Sequence, residues 1–193
     1  MKPMFKKLLT AFILVLMMTD FCKAQDKPAH NCPVTIIESS DEKLDMFNKL
    51  DAYKTFQKDI DNFKKNTASG ILIFKYNPEA GTGRLLIAGK TNKGFSCTIK
   101  GLKSPAEEIK MDAKDVTVIE SNAKALSTEN YYANCSKYSD DPNFNMAIIK
   151  SDNQVKVIYL ADFEDLFSAD RNFSSNFKST MQILDITNKY LYR

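Results

Sequence analysis

The stretch NMAIIKSDNQVKVIYL, residues 145–160, carries the strongest turn signal in the chain. Two runs of aliphatic and β-branched residues flank Ser151-Asp152-Asn153, and polar residues of this kind favour a tight turn between paired strands. The stretch therefore predicts a β-hairpin with strands at 145–150 and 154–160. The same pattern of short apolar runs and turn residues continues toward the N-terminus and decides the fold class.

Six further runs of aliphatic, β-branched or aromatic residues precede this hairpin, at 71–76, 84–88, 95–99, 109–111, 116–119 and 131–138. The loop 77–83, which contains a proline and two glycines, joins the first two runs and predicts a second hairpin. Such runs, separated by turn residues, are typical of antiparallel sheet. The body of the chain is therefore predicted to hold about eight short strands.

Helical signals lie on both sides of the strand region. Ser39 and Glu42 form a capping box, and apolar residues then recur every three or four positions over 44–63. This spacing predicts one amphipathic helix of about six turns. Apolar residues at helical spacing over 174–186 predict a closing helix, whereas residues 25–38 are predicted to be an irregular leader.

The N-terminus has the layout of a secretory signal peptide. Residues 1–7 are basic, and the apolar run 8–18 is too short to span a bilayer as a helix. We expect cleavage after Ala24, which makes residues 1–24 the signal peptide and residues 25–193 a single secreted domain. Lipidation of Cys22 is the alternative, but the residues before it are not the small ones that lipoprotein processing prefers.

The charge balance of the mature chain disfavours polyanionic partners. Removing residues 1–24 takes away four lysines and one aspartate, so the 27 basic and 24 acidic residues of the full chain become 23 of each. No stretch of the remainder clusters lysine and arginine strongly, and we therefore expect no nucleic-acid partner. The absence of a second long apolar run predicts no membrane span.

The residue types that most hydrolases and zinc enzymes need are missing. The only histidine is His30, in the predicted leader, so a serine or cysteine nucleophile paired with a histidine base is not expected. The cysteines lack the close spacing of a zinc site. Carboxylates at Glu107 and Glu108, or at Asp162, Glu164 and Asp165, could in principle serve as acid and base. Acidic residues beside predicted helix ends or loops usually face water or cap a helix. The sequence thus predicts no enzyme, cofactor or metal.

Tyrosines are the most informative aromatic residues, because a buried hydroxyl needs a hydrogen-bond partner and can orient a ligand. Strand alternation places Phe74 and Tyr76 on one face of their strand, and Tyr159 on the same face as Val157. An outward Asn134 would place Tyr131 on the opposite, inward face. These four residues are the candidate ligand-binding residues. Whether their faces line a cavity or a packed core stays open at this point.

Cysteines and asparagines supply the remaining candidates. Three cysteines follow the predicted cleavage site, Cys32, Cys97 and Cys135, so an oxidising compartment gives one bridge and one leftover thiol. The leftover thiol is buried, or pairs with another chain, or pairs with Cys22 if cleavage falls earlier. Asn134 and Asn172 begin glycosylation sequons and are predicted at the surface in a eukaryotic host.

Several short segments resemble the secreted salivary lipocalins of ticks and other arthropods. The segment DAYKTFQ at 51–57 resembles the Asp-Ala-Trp-Lys segment of the tick proteins, and GFSC at 94–97 is similar to their Phe-Thr-Cys strand. YYANC at 131–135 and NCP at 31–33 are similar to a Tyr-rich strand and a Cys-Pro leader. The chain lacks the Gly-x-Trp signature of the wider family. It also lacks the cysteine of the closing helix that in the family would normally pair with the equivalent of Cys97.

This resemblance implies a mainly β (α+β) fold, an eight-stranded antiparallel lipocalin-like barrel with an N-terminal amphipathic helix and a C-terminal helix. It also implies a bridge between Cys32 and Cys135. The expected function is a secreted, non-enzymatic binding protein that sequesters a small apolar or amine ligand in the barrel cavity. The alternative is a secreted protein-interaction module, an inhibitor or effector with a filled core, that contacts a host or extracellular protein through the loops 77–83 and 139–143.

Overall fold

Eight β-strands form one sheet in the computed structural model, which describes residues 32–91, 94–134, 143–162 and 173–192. The strands are β1 (Val34–Ile37), β2 (Gly70–Asn77), β3 (Thr82–Thr91), β4 (Gly94–Gly101), β5 (Glu107–Ile109), β6 (Glu129–Ala133), β7 (Phe144–Ser151) and β8 (Gln154–Ala161). Their order across the sheet is β1-β6-β8-β7-β2-β3-β4-β5. All neighbours are antiparallel except β6 and β8, which are parallel.

The sheet is open, so the predicted barrel is wrong, and although eight strands are present as expected, seven of them are predicted ones. β1 and β5 are its two edges and do not pair with each other. Both faces are covered by helices: α1 (Asp41–Asn48) and α2 (Asp51–Asn66) on the first face, α3 (Ala113–Ala125) and α4 (Ser175–Leu191) on the second. Because each face already has an apolar cover, the sheet buries its residues without closing on itself.

The two hairpins predicted from local turn chemistry are confirmed. β7 and β8 are joined by Asp152 and Asn153, whose φ angles of 53° and 63° are those of a tight turn matched to the twist of the strands. β2 and β3 pair from Gly70 with Gly89 to Asn77 with Thr82. Gly81, in the turn between them, has a φ of 57°, a conformation that glycine adopts without strain.

The predicted N-terminal helix is two helices. Leu50 separates them in an extended conformation, with ψ of 129°. The apolar spacing continues across the break because Phe47 of α1 and Tyr53 of α2 pack into the same cluster. The Ser39 hydroxyl accepts a hydrogen bond from the Asp41 amide at 3.1 Å, but the N-cap residue of α1 is Ser40, one position after the predicted cap.

Two segments have a different type of secondary structure from the one that the sequence predicted. Residues 116–119, expected to be a strand, lie in α3, which begins where the Asp112 carboxylate accepts a hydrogen bond from the Lys114 amide at 2.9 Å. Burial of Ile119 and Ala123 against the sheet outweighs the strand preference of the β-branched residues. Residues 34–37, expected to be part of an irregular leader, form β1 and pair with β6.

Strand alternation gives the two faces different cores. The buried strand residues of the first face are Leu72, Phe74, Leu85, Tyr132, Met146, Ile148 and Leu160. Those of the second face are Ile71, Ile73, Leu86, Ala88, Cys97, Tyr131, Ala133, Ala147, Ile149, Val157, Tyr159 and Ala161. α4 covers the second face with Phe177, Met181 and Leu184, which confirms the closing helix.

Candidate functional site

The four candidate ligand-binding residues do not share a site. Phe74 and Tyr76 belong to the first face of the sheet, and Tyr131 and Tyr159 belong to the second. The Phe74 side chain is 0% exposed, and the ring centroid of Tyr53 lies 5.8 Å from its own. The sheet itself therefore separates the two pairs, so they do not line one common cavity.

On the second face, Tyr131 is a structural residue. Its ring centroid lies 4.9 Å from that of Phe177, and its hydroxyl donates to the Glu129 carboxylate and accepts from the Asn176 amide nitrogen at 2.7 Å. Burial, with the hydrogen bond to Glu129, raises the pKa of Tyr131 to about 12. The hydroxyl thus joins β6 to the first turn of α4. The Tyr159 ring, 5.9 Å from Phe177, fills the same core.

The structure shows the state of the leftover thiol, which the sequence left open. Cys97 is a buried free thiol, and burial raises its pKa to about 11. A thiol of this kind is a poor nucleophile at neutral pH. Cys32 is disulfide-bonded and 1% exposed. Cys135 and Asn172 lie outside the described residues, whereas Asn134 is exposed at the end of β6.

Two cations stand side by side at the end of the sheet that carries the loop 77–83. Lys75 of β2 and Arg84 of β3 are direct cross-strand partners, and both lie on the face that α4 covers. Like charges placed opposite each other in a sheet repel. The end of α4 offsets this repulsion, because the carbonyl groups there carry partial negative charge.

Both cations bind the last turn of α4. The Arg84 guanidinium donates to the Leu191 carbonyl at 2.6 Å, and the Lys75 ammonium donates to the Asn188 side-chain oxygen at 3.1 Å. Lys75 also donates to the Tyr192 hydroxyl at 2.9 Å. The Tyr192 ring centroid lies 4.8 Å from the Lys75 nitrogen and 5.6 Å from the Arg84 guanidinium carbon, within the range of cation–π attraction.

Three adjoining clefts meet at this point, and Arg84 borders all of them. The first, here called the basic cleft, has a volume of about 120 Å³ and is lined by residues that include Lys75, Arg84, Asn143, Asn145 and Tyr192. The second, here called the apolar groove, has a volume of about 440 Å³ and includes Leu102, Lys103 and Tyr192. A third, of about 400 Å³, reaches from Ile99 to Glu107.

The electrostatics of the basic cleft favour an anionic group. Within the described ranges, no carboxylate lies within 4.0 Å of the Arg84 guanidinium, and its one hydrogen bond is the one to Leu191. A guanidinium has five N–H donors. Arg84 therefore keeps donors that can bind a carboxylate or similar anion in the fork geometry that arginine prefers.

The sequence contained part of the signal for this site. The predicted loop 77–83 would place Arg84 opposite Tyr76, whereas the observed strands continue to the pair of Asn77 and Thr82, and this shift of one residue places Arg84 opposite Lys75. The position of Tyr192 cannot be predicted from the hairpin, because it depends on how α4 lies across the sheet. Asn188 and Leu191, which bind the two cations, are equally remote in sequence.

Neither a metal site nor a membrane-crossing helix is found in the described part of the chain. No group of three metal-binding side chains comes together there, and no helix has the length and apolar character to cross a membrane. Searched against protein-family models, curated proteins and solved structures, the chain gives no significant match. The resemblance to salivary lipocalins therefore stays a prediction from short motifs, without the barrel that it implied.

Proposed function

We propose that the protein is a secreted, non-enzymatic interaction module that binds another extracellular protein through the end of the sheet at Arg84. The surface concerned, here called the loop-end surface, comprises the loop 77–83, residues 101–104 and Tyr192. The observation that carries this proposal is the meeting of three clefts at Arg84, on a molecule whose two sheet faces are filled. Secretion is supported by the basic and apolar pattern of residues 1–18.

The chemistry of this surface suits protein recognition. Tyr192 is 61% exposed and lies against Arg84, and tyrosine and arginine are the side chains that most often dominate the energy of protein interfaces. The loops 77–83 and 101–104 are held by the sheet beneath them, since the Leu102 amide donates to the Gly83 carbonyl at 3.1 Å. A partner would thus meet a preorganised surface, which lowers the entropic cost of binding.

A cavity carrier is less well supported. Such a protein encloses most of its ligand in a pocket lined by apolar groups. Here the aromatic rings that would line it contact one another, with centroids of Phe47 and Phe74 6.1 Å apart on the first face and of Phe173 and Phe177 5.8 Å apart on the second. Both sets of rings act as core residues.

Site-specific photocrosslinking tests the proposal. Benzoylphenylalanine replaces Thr82, which is exposed on the loop-end surface, or Lys58, which is exposed on the outer side of α2. The secreted protein is then irradiated in extracellular fluid from the source. We expect a discrete crosslinked protein from position 82, competed by unmodified protein but not by the Tyr192→Ala variant, and none from position 58. Equal crosslinking from both positions, or none from position 82, would refute the proposal.

A further inference from the structure

We infer that β1 is a dimerisation strand, which pairs antiparallel with β1 of a second copy of this chain about a two-fold axis. The two sheets would then join edge to edge. β1 lies apart from the loop-end surface, because three strands, β6, β8 and β7, separate it from β2. The support comes from the difference between β1 and β5, the two edge strands, and from the direction of the backbone groups of β1.

The two edges differ in charge and in apolar exposure. β5 carries Glu107 and Glu108, both exposed, and exposed charges on an edge strand hinder its pairing with another chain. β1 consists of Val-Thr-Ile-Ile, four β-branched residues without a charge. The Ile36 side chain is 56% exposed. β1 is therefore the edge that can accept a further strand.

The hydrogen bonds to β6 show which backbone groups of β1 point away from the sheet. The Asn134 amide donates to the Pro33 carbonyl, in the register that pairs β1 with β6, so these two residues form a hydrogen-bonded pair. Such pairs alternate along an antiparallel ladder, so Thr35 also faces β6, whereas Val34 and Ile36 direct their N–H and C=O groups outward. Within the described part of the chain, no hydrogen bond reaches these outward groups.

Pro33 does not block this edge. Proline lacks an N–H group, and on an edge strand it prevents pairing where the missing donor faces the free side. In an antiparallel ladder the N–H and C=O groups of one residue point to the same side. Because the Pro33 carbonyl points to β6, the missing donor lies on the β6 side, and the free side of β1 keeps its donors.

The outward groups of β1 complement those of a second copy. If Thr35 lies opposite Thr35 of the second copy, Val34 of each chain lies opposite Ile36 of the other. These are two hydrogen-bonded pairs of two bonds each. The threonines meet on the first face and the aliphatic residues on the second, as a two-fold axis perpendicular to the sheet requires. Threonine pairs are favourable across strands, and no charges meet within residues 34–37.

Dimerisation would remove the Ile36 side chain from water, which favours pairing. The two-fold axis turns the second copy end for end, so the two loop-end surfaces point in opposite directions and both stay free for a partner. An interface of two four-residue strands is smaller than that of a stable complex. We therefore expect a dissociation constant on the order of 100 µM.

Sedimentation velocity of the secreted full chain, from about 5 µM to about 1 mM, tests the inference. We expect the mass to rise from one chain toward two and to stop there, because each copy has one β1. Ile36→Lys places a charge on the edge and should weaken the dimer at least about tenfold. The matched control, Val118→Lys on α3, changes an aliphatic residue that is 39% exposed and should leave the dimer unchanged.

Two further variants test the backbone pairing and its register. Ile36→Pro removes only an outward N–H group, so it should fold normally, with unchanged chemical shifts of core amides, and weaken the dimer at least about tenfold. Thr35→Cys should give a disulfide-linked dimer under mild oxidation, because side chains of a directly opposed pair lie within reach of a bridge. Ile36→Cys, which lies opposite Val34, should not.

The opposite results overturn the inference. A wild-type chain that stays monomeric up to about 1 mM, or one that grows beyond two copies, would each do so. So would a dimer that Ile36→Lys and Val118→Lys affect equally, or one that Ile36→Pro leaves unchanged. A disulfide-linked dimer from Ile36→Cys in place of Thr35→Cys would contradict the proposed pairing of β1 with itself.

Discussion

The two faces of the sheet are filled by different means. On the first face, aromatic rings from α1, α2 and β2 pack edge to face, with the rings of Phe47 and Phe74 inclined at 64°. On the second face, α3 lies closest to the sheet, at β7 and β2, and tyrosine hydroxyls tie α4 to its neighbours. The Tyr190 hydroxyl, for example, donates to the Asp115 carboxylate at 2.6 Å. Polar contacts add to packing on both faces: on the first, the Lys150 ammonium donates to the Phe63 carbonyl of α2 at 3.4 Å and Lys100 pairs with Asp59 at 2.8 Å, whereas on the second the tyrosine hydroxyls make these contacts.

Both faces are filled, and clefts lie at the ends of the sheet: three at Arg84, and one of about 150 Å³ at the opposite end, lined by residues that include Gly70, Lys90 and Glu120. The basic cleft lies where β2 and β3 run past the last turn of α4, beyond the packed core. The second face therefore has a further role. By fixing α4, it places Tyr192 beside Arg84 and forms one wall of the cleft.

The largest effects should come from truncating one buried ring on each face. Phe74→Ala and Phe177→Ala should each lower the free energy of unfolding by about 3–5 kcal/mol, because each removes a fully buried side chain from a cluster of rings. Urea unfolding of both variants gives the comparison. If Phe177→Ala lowered the free energy of unfolding by less than about 1 kcal/mol, the second face would not be filled and would border a space able to hold a ligand.

The disulfide should contribute somewhat less. Cys32 is disulfide-bonded, and the carbonyl of the next residue, Pro33, accepts a hydrogen bond from the Asn134 amide at 3.4 Å. Cys135 follows Asn134 in the sequence, and we propose it as the partner of Cys32. Cys32→Ser should lower the free energy of unfolding by about 2–5 kcal/mol.

Peptide mass mapping without reduction identifies the bridge directly. We expect a peptide pair that contains Cys32 and Cys135, with Cys97 free to react with an alkylating reagent only after unfolding, as its burial implies. A crosslinked pair containing Cys22, or rapid alkylation of Cys97 in the folded protein, would contradict the assignment.

A smaller effect should follow from removing one hydroxyl on the second face. Tyr131→Phe keeps the ring but leaves the Glu129 carboxylate and the Asn176 amide without that partner. We expect a loss of about 1–3 kcal/mol in the free energy of unfolding at pH 7. The matched change on the first face, Phe56→Tyr, should also destabilise, because it buries a new hydroxyl in an apolar cluster.

The same variant should change the pH dependence of stability. The pKa of Tyr131 is about 12 in the folded chain, against 10.0 for an unperturbed tyrosine. The unfolded state therefore releases this proton first, so the stability linked to it is fully present below pH 10 and is lost as the pH rises through about 12. The difference between the wild-type chain and Tyr131→Phe should fall across that window at up to about 1.4 kcal/mol per pH unit. A difference that stays constant would contradict the burial of this hydroxyl.

The smallest effect on stability should come from the loop-end surface itself. Tyr192→Ala removes a side chain that is 61% exposed, and we expect a change within about 0.5 kcal/mol in the free energy of unfolding. Its effect on the crosslinking from position 82 should be large. If Tyr192→Ala folds with normal stability but no longer gives the crosslink, Tyr192 acts in binding and not in the core. A large loss of stability would instead show that Tyr192 serves mainly to hold α4.

Local features of this fold were predictable and long-range ones were not. The hairpins at 70–91 and 144–161 follow from turn residues and alternation, and the closing helix follows from apolar spacing. The break at Leu50 and the helix at 113–125 depend on burial against the sheet, which outweighs local preference. A list of strands also leaves open whether a sheet closes or takes helices on both faces.

The same division applies to the candidate site. Alternation correctly grouped Phe74 with Tyr76 and predicted an inward Tyr131, but it could not show that a sheet separates the two groups. The predicted hairpin brought β2 beside β3, but its loop 77–83 gave Arg84 the partner Tyr76, one residue away from the observed partner Lys75. Only the folded chain reveals the contacts that these two cations make with Asn188 and Leu191. Arg84 and Leu191, for example, are 107 positions apart in the sequence.

The central claim is that the interior is filled and that binding occurs at the loop-end surface. Native mass spectrometry of the freshly secreted protein, before and after denaturation, tests it most directly. We predict that the native mass equals that of the polypeptide with its covalent modifications and that unfolding releases no small molecule. A retained lipid or amine, lost on unfolding at one equivalent per chain, would contradict the account.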